Sequence, residues 1–426
     1  MGRPLLFLTI LISFVLGLYL LGVTFITPSV TSAQDNQDHV PGQILVKFKA
    51  GTSQNVIDTQ LKSHNARVVD RITALDVLVV NIPSSTENRV LTALSRNPNV
   101  EYAEFDYIAT AVIAPSDSYF NNQWGLENTG QTINGVIGTV DADINAPTAW
   151  NTTLGVGVTA AILDSGINES HQDLVGKVVN EQDFTGSASG TNDVYGHGTH
   201  VAGIVAANTN NSIGVAGVCP NCVLLNGKVL NDSGSGAYSW IANGILWATN
   251  NGAKVINLSL GGPPSSKTLE SAVNYAWNNG SVIVAAAGNC GCQAKLYPAA
   301  YTKVIAVAAT DNQDNKASFS SYSAKWVDVA APGAYIFSTW KNQTSAHNPQ
   351  PVCSDPINPN SCYKFASGTS MATPMTSGTV ALIWSTSWGT SASNVRSRLE
   401  TKADKIIGTG NWWSAGRVNA ANAVAP

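Results

Sequence analysis

The sequence predicts an α/β domain with a mainly parallel sheet, preceded by a small α+β domain. Three observations carry that prediction. From residue 156 onward, short apolar runs alternate with segments of helical spacing. Those runs are apolar without interruption, as strands are when helices cover both faces of their sheet. Upstream, residues 40–107 hold a separate β-α-β-α-β pattern, about 70 residues with enough apolar material for a sheet and core of their own.

The elements follow in order. Met1-Gly2-Arg3 leads into an apolar run from residue 5 to 26, then Thr31-Ser32-Ala33 with Asp35 close behind. One positive charge, an apolar stretch and small residues at a cleavage point are the parts of an export signal over residues 1–33. The run is also long enough to cross a bilayer, so an uncleaved anchor holding the chain outside the cell is the alternative. Residues 43–48 alternate like a half-buried strand, and 55–65 have helical spacing with Val56, Ile57 and Leu61 on one side. A strand at 75–82 closed by Pro83, a helix at 87–96 and a strand at 100–107 complete the small domain. Residues 108–118, IATAVIAPSDS, read as an exposed linker open to proteolysis. The division is therefore signal 1–33, small domain and cleavage linker 34–113, large domain 114–426. In the large domain, strands are expected at 156–163, 223–229, 255–259, 282–287 and 304–309, and helices at 198–208, 239–251 and 269–279. Sheets of this kind bind ligands at the carboxyl ends of their strands, where the strand order reverses.

Composition excludes two classes. Lys and Arg number 23 against 27 Asp and Glu, a net charge of −4, so no cationic excess exists to neutralise nucleic-acid phosphates. With 11 Trp, 12 Tyr and 10 Phe the chain has ample core material and is not disordered.

Three segments bring reactive groups to such strand ends. Ala160-Ala161-Ile162-Leu163-Asp164-Ser165-Gly166 is an apolar strand ending in a carboxylate. Tyr195-Gly196-His197-Gly198-Thr199-His200 brings a histidine into a helix. Ser367-Gly368-Thr369-Ser370-Met371-Ala372-Thr373-Pro374 sets a serine on a turn into another helix. A serine hydroxyl is a poor nucleophile at neutral pH and needs an imidazole to take its proton. The imidazole needs a carboxylate to fix its tautomer and stabilise its cation. Singly, each segment has a plainer reading: a turn-capping Asp, a buried or metal-paired His, an N-capping Ser. All three in one chain, in the order Asp, His, Ser, point to a nucleophilic hydrolase. A lipase or esterase would carry Gly-x-Ser-x-Gly and the order Ser, Asp, His.

With these motifs the sequence resembles the subtilisin-like serine proteases, the subtilase family. Further agreement lies in Asn257-Leu258-Ser259-Leu260-Gly261-Gly262, in Ala285-Ala286-Ala287-Gly288-Asn289 and in Val329-Ala330-Ala331-Pro332-Gly333. The resemblance implies a subtilisin-like three-layer domain and a secreted serine endopeptidase acting through an acyl-enzyme on Ser370. His197 would be the base, Asp164 the orienter and Asn289 the side-chain donor of the oxyanion hole. It implies that substrate adds as a strand between Ser259, Leu260 and Gly261 on one side and Gly234, Ser235 and Gly236 on the other, with Tyr238 lining a pocket for a bulky apolar residue. It implies structural Ca²⁺ held by Asp117, Asp173 and Asn211 through side chains and by Asn208, Ile213 and Val215 through carbonyls, and a second site using Asp183 and Asp193. The small domain is expected to be a propeptide that assists folding and blocks the cleft with its tail, Phe105 to Thr110, until self-cleavage. The protein is then a monomeric zymogen whose partners are protein or peptide substrates and its own propeptide. A catalytically silent family member used for binding is the rival reading, and the intact set of Asp164, His197, Ser370 and Asn289 argues against it.

Two departures stand out. Met375 takes a place where the family commonly has a histidine, which bears on helix packing and not on the triad. Residues 341–364 form a Pro- and Asn-rich insertion with Cys353 and Cys362. Six cysteines allow 15 pairings; in an exported chain the local ones lead, 353 with 362, 219 with 222 and 290 with 292. A redox or zinc role for Cys219-Pro220-Asn221-Cys222 lacks the matching context.

Overall fold

The computed structural model describes residues 39–108, 115–342, 350–353 and 361–426. The apolar run at 5–26, the small residues before position 34 and linker residues 109–114 lie outside the described residues. Within them no helix is long and apolar enough to cross a membrane. The described residues form two compact units, one within residues 1–111 and one within 112–426.

The first unit runs β1 (His39–Phe48), α1 (Gln54–Ser63), β2 (Arg67–Ile72), β3 (Val77–Asn81), α2 (Glu87–Ser95) and β4 (Val100–Tyr107), with an antiparallel sheet ordered β2-β3-β1-β4. Period-2 alternation puts Ile44, Val46 and Phe48 on one face of β1, where they pack with Leu61, Val90 and Leu94. Strand β2 was not expected. All six of its residues are exposed, so it buries no face and leaves no alternating signal.

The second unit opens with a hairpin, β5 (Thr132–Ile133) and β6 (Val136–Ile137), and α3 (Ala146–Trp150). There follow β7 (Thr159–Asp164), β8 (Val178–Asp183), α4 (His197–Ala206), β9 (Val223–Lys228), α5 (Tyr238–Asn250), β10 (Val255–Leu258) and α6 (Lys267–Asn278). Then come β11 (Val282–Ala286), β12 (Val304–Thr310), β13 (Val329–Pro332), β14 (Ile336–Trp340), β15 (Val352–Cys353) and β16 (Cys362–Ala366). Helices α7 (Thr369–Trp384) and α8 (Ala392–Thr401), strand β17 (Gly416–Arg417) and helix α9 (Ala420–Val424) end the chain.

Eight strands form one sheet, β17-β13-β12-β11-β10-β7-β9-β8, and every pairing is parallel. The expected fold class is present. Val201, Ile204, Val380 and Leu382 belong to the core on one face, Ile241, Ile245, Leu269 and Val273 to the core on the other. The five expected strands are central members, β7 and β9 to β12. The edge strand β8 escaped the sequence pattern because all six of its residues are partly or fully exposed.

Topology sets the site. The chain enters at β7, runs out to the edge at β8, returns to β9, and then crosses β7 to lay down β10 and β11 on its other side. The carboxyl ends of β7, β9, β10 and β11 therefore flank the reversal point, where a crevice opens. Among the described residues of the insertion, β16 pairs antiparallel with β15, and also with β14 before it, and Cys353 faces Cys362 in that ladder. The disulfides are Cys219–Cys222, Cys290–Cys292 and Cys353–Cys362, as the local reading expected. Met375 is buried in the core beneath α7.

Candidate active site

The apolar run of β7 ends on Asp164, whose side chain is fully buried. Its Oδ1 accepts from the Ser165 N–H and from His197 Nδ1, each at 2.7 Å. Its Oδ2 is buried and has no partner among the described residues. His197 begins α4, and Gly198 beside it is required by close approach: a Cβ there would lie 2.1 Å from the Gly166 carbonyl oxygen. Burial pushes the His197 imidazole toward the neutral form, but the Asp164 carboxylate, its hydrogen bond and the charge of Asp193 outweigh that and hold its pKa above the ordinary histidine value. His200, three residues on, is buried with Nε2 on the Lys364 carbonyl; burial drives it down to about 3, so it is neutral.

Ser370 is the second residue of α7. Its hydroxyl donates to the Ser259 carbonyl at 3.2 Å, and the Ser259 hydroxyl donates to the Ser370 carbonyl at 2.8 Å. That pair seats the serine against the end of β10. The structure thus joins Asp164 to His197 and Ser370 to Ser259, while the Ser370 hydroxyl faces Ser259 and not His197. Unliganded hydrolase sites often hold this bond loosely and tighten it on the substrate.

Asn289 follows β11. Its Oδ1 accepts from the Thr369 N–H at 2.9 Å and from the Thr369 hydroxyl at 3.0 Å, while that hydroxyl accepts from the Gly288 N–H. This network fixes the amide orientation and leaves Nδ2 with no acceptor among the described residues. The Ser370 N–H, in the first turn of α7, likewise has none. Two unspent donors thus flank the serine, at a helix end whose dipole favours negative charge.

His197, Ser259, Leu260, Gly261, Gly234 to Gly236 and Tyr238 line one cleft of about 420 Å³. Gly234 has φ +76°, and a Cβ on it would meet the Tyr195 ring at 2.6 Å. The Tyr238 hydroxyl donates to the Pro264 carbonyl, which holds its ring at the start of α5 along the cleft wall.

Asp117 and Asp173 are both buried, close enough for the charge of one to act on the other. Asp173 accepts from the Asn211 amide, the Val215 N–H and the Tyr363 hydroxyl. Burial, with Asp117's charge adding to it, lifts Asp173 to about 6, and burial lifts Asp117 as well. Asp117 Oδ1 is buried without a partner. Two crowded carboxylates, one with an orphaned oxygen, fit a hard cation. The remaining donors would be amide and carbonyl oxygens, and among the described residues no group of three or more His, Cys, Asp or Glu gathers as a metal cluster. The expected second cation site is not formed. Both Asp193 oxygens are taken by five donors, from Ser165, Tyr195, Gly196 and Thr199, and Asp183 caps its own turn at Thr185. Asp193 is thus a residue whose role sequence reasoning mistook; the signal was its place four positions before His197, at the mouth of a helix.

Comparison with known proteins places these features in a lineage. The subtilase family matches residues 155–420, and the fervidolysin N-terminal prodomain matches residues 26–106. Thermitase from Thermoactinomyces vulgaris is 48% identical over 311 residues, 73% of this chain and 99% of that protein. The thermophilic serine proteinase of a Bacillus species is 41% identical over 392 residues, 91% of this chain and 88% of that protein. Among solved structures, a protease from Pseudoalteromonas arctica superposes with a TM-score of 0.62 at 32% identity, covering 73% of this chain and 99% of its own.

Proposed function

Since the chain belongs to the subtilase family of serine endopeptidases and carries an N-terminal prodomain, we propose that it cleaves polypeptides through an acyl-enzyme on Ser370 and is made as a self-processed, exported zymogen. The single observation that carries the site assignment is the 2.7 Å contact of His197 Nδ1 with the buried Asp164. It puts the proton on Nδ1 and leaves Nε2 to take the proton of Ser370 as the hydroxyl attacks the substrate carbonyl. The tetrahedral oxyanion then receives hydrogen bonds from Asn289 Nδ2 and the Ser370 N–H, a side-chain contribution of about 2.7 to 4 kcal/mol. His197 next donates its proton to the leaving amine, and water repeats the sequence to release the acyl group. Substrate lies as a strand between residues 259–261 and 234–236, with an apolar side chain near Tyr238.

The test is chemical labelling combined with a pH profile. Phenylmethanesulfonyl fluoride is expected to abolish casein hydrolysis, with the label found on Ser370 by peptide mass spectrometry. The base acts in its neutral form, and its pKa is raised, so kcat/KM should climb with pH through a midpoint above the usual histidine value of about 6.5. A label elsewhere, or a midpoint below that value, contradicts the assignment.

Export rests on the signal-like residues 1–33, and the local disulfides of the large unit suit an oxidising compartment. Asp117, Asp173 and Asn211, with the carbonyls of Asn208, Ile213 and Val215, would hold Ca²⁺, whose charge offsets the repulsion of the two carboxylates. Removal of calcium with a chelator should lower Tm by roughly 5 °C or more if the ion is present at about a hundred times its Kd. Asp173→Asn should remove most of that response. An unchanged Tm on chelation of the wild type argues against the site.

A further inference from the structure

Asp193 is the most heavily hydrogen-bonded side chain near the reactive pair, and the mechanism above does not use it. It is 2% exposed. Its Oδ1 accepts from the Ser165 hydroxyl at 3.0 Å, the Tyr195 N–H at 3.0 Å and the Gly196 N–H at 2.7 Å; its Oδ2 accepts from the Thr199 N–H at 2.8 Å and the Thr199 hydroxyl at 2.7 Å. The direction of both hydroxyls is fixed by the bonds on their other side. Ser165 Oγ already accepts from the Gly198 N–H, and Thr199 Oγ1 from the Asn168 N–H, so each hydroxyl gives its proton to Asp193. Five donors and no acceptor surround the carboxyl. Burial raises the Asp193 carboxyl above the usual carboxylate range, while the Gly196 and Thr199 donors pull it back; a protonated acid would leave one proton of this network without an acceptor, so the hydrogen bonds favour the anion.

These donors come from two places that must stay in register. Ser165 directly follows Asp164 at the end of β7. Gly196 and Thr199 flank His197 at the start of α4. We propose that Asp193 is a positioning residue of the protease: a buried anion that ties the Asp164 strand end to the His197 helix start and adds a second negative charge beneath the imidazolium that forms during turnover. This rests on the assignment of His197 as base and Ser370 as nucleophile.

The surrounding charges leave Asp193 this role. Asp164 is spent on His197 and the Ser165 N–H. Lys228, fully buried on β9, sends its ammonium to the Ser165 and Asn192 carbonyls and to Asp232 at 3.1 Å, so it braces the same turn from the other side. On the other elements, His200 is neutral, Lys341 donates to the Val194 carbonyl and Lys364 lies over the Trp340 ring. Glu181 accepts from the Thr191 hydroxyl and Glu169 from Asn226.

The test is Asp193→Asn, assayed for kcat, KM and the acid limb of kcat/KM on the mature enzyme, beside wild type labelled by phenylmethanesulfonyl fluoride. The substitution keeps the shape, removes the charge and turns an amide NH₂ toward donors. We expect kcat to fall on the order of ten- to a hundredfold, KM to stay within about twofold, and the acid limb to move to lower pH. A lowered Tm with kcat and acid limb both unchanged would make Asp193 scaffold alone and overturn the proposal. If Asp193→Asn does not fold, Ser165→Ala, which removes one bridging hydroxyl, decides: kcat reduced several-fold at constant KM supports the tie, and wild-type kcat overturns it. Should the wild type take no label on Ser370, the underlying assignment fails instead, whatever the variants do.

Discussion

Ser370→Ala is expected to remain a full-length, inert chain, while the wild type sheds its amino-terminal segment and hydrolyses casein. The expected loss in kcat is roughly 10⁶, the scale known for the nucleophile of subtilisin itself, because nucleophile and base act as a unit. Little else should change. The hydroxyl's hydrogen bond in this structure is the 3.2 Å contact to the Ser259 carbonyl, so its removal costs on the order of 1 kcal/mol or less. The core beneath α7 does not involve it. Loss of processing with a near-normal Tm therefore separates a missing nucleophile from a failure to fold. Gel mobility and amino-terminal sequencing read the processing, and a melting curve reads the fold. Added wild-type enzyme should trim the variant, since the linker of the variant is still a substrate. Processing and casein cleavage persisting in a pure Ser370→Ala sample would remove Ser370 from the mechanism.

How much of this the sequence carried depends on whether a residue's role left a local trace. The strands β7 and β9 to β12 announce themselves because both of their faces are buried, which forces uninterrupted apolar runs. β2 and β8 do not, because exposed edge strands face no such demand. Asp164, His197, Ser370 and Asn289 were legible as motifs, since their backbone settings need Gly198, Gly288 and Gly368 at fixed offsets. Asp193 was misread for the opposite reason. A carboxylate in a loop looks the same whether it holds a cation or five protein donors, and only the folded chain brings Ser165 and Thr199 to it. The hydroxyl of Ser370 is another case: its position along the chain was plain, but its present partner, Ser259, is set by the approach of β10 to α7. The acidic count of the sequence also takes on meaning here. Asp164, Asp173 and Asp193 are buried, so part of the acidic count is internal and organises the site.

Asp164→Asn should show how much of the chemistry lies in that organisation. In the wild type one oxygen of Asp164 serves both His197 and the Ser165 N–H, and the other is buried without a partner. An asparagine can sit there in two ways. With its oxygen kept toward His197 the tautomer survives, but the charge is gone and the NH₂ is buried without an acceptor, at a cost of about 1 to 3 kcal/mol. With its NH₂ toward His197, Nδ1 must become an acceptor, the ring proton moves to Nε2, and the imidazole can no longer take the proton of Ser370. In either case kcat should fall by about 10⁴ with KM nearly unchanged, because Asp164 lies behind the imidazole and does not line the cleft. The pH profile distinguishes the two. Loss of charge alone moves the acid limb below its wild-type position, since the carboxylate charge that raised His197 is removed. The reversed tautomer instead leaves a rate that recovers only when hydroxide or another external base replaces the imidazole, so activity keeps rising into alkaline solution. A variant within tenfold of wild-type kcat would mean that the 2.7 Å contact orients nothing the reaction uses.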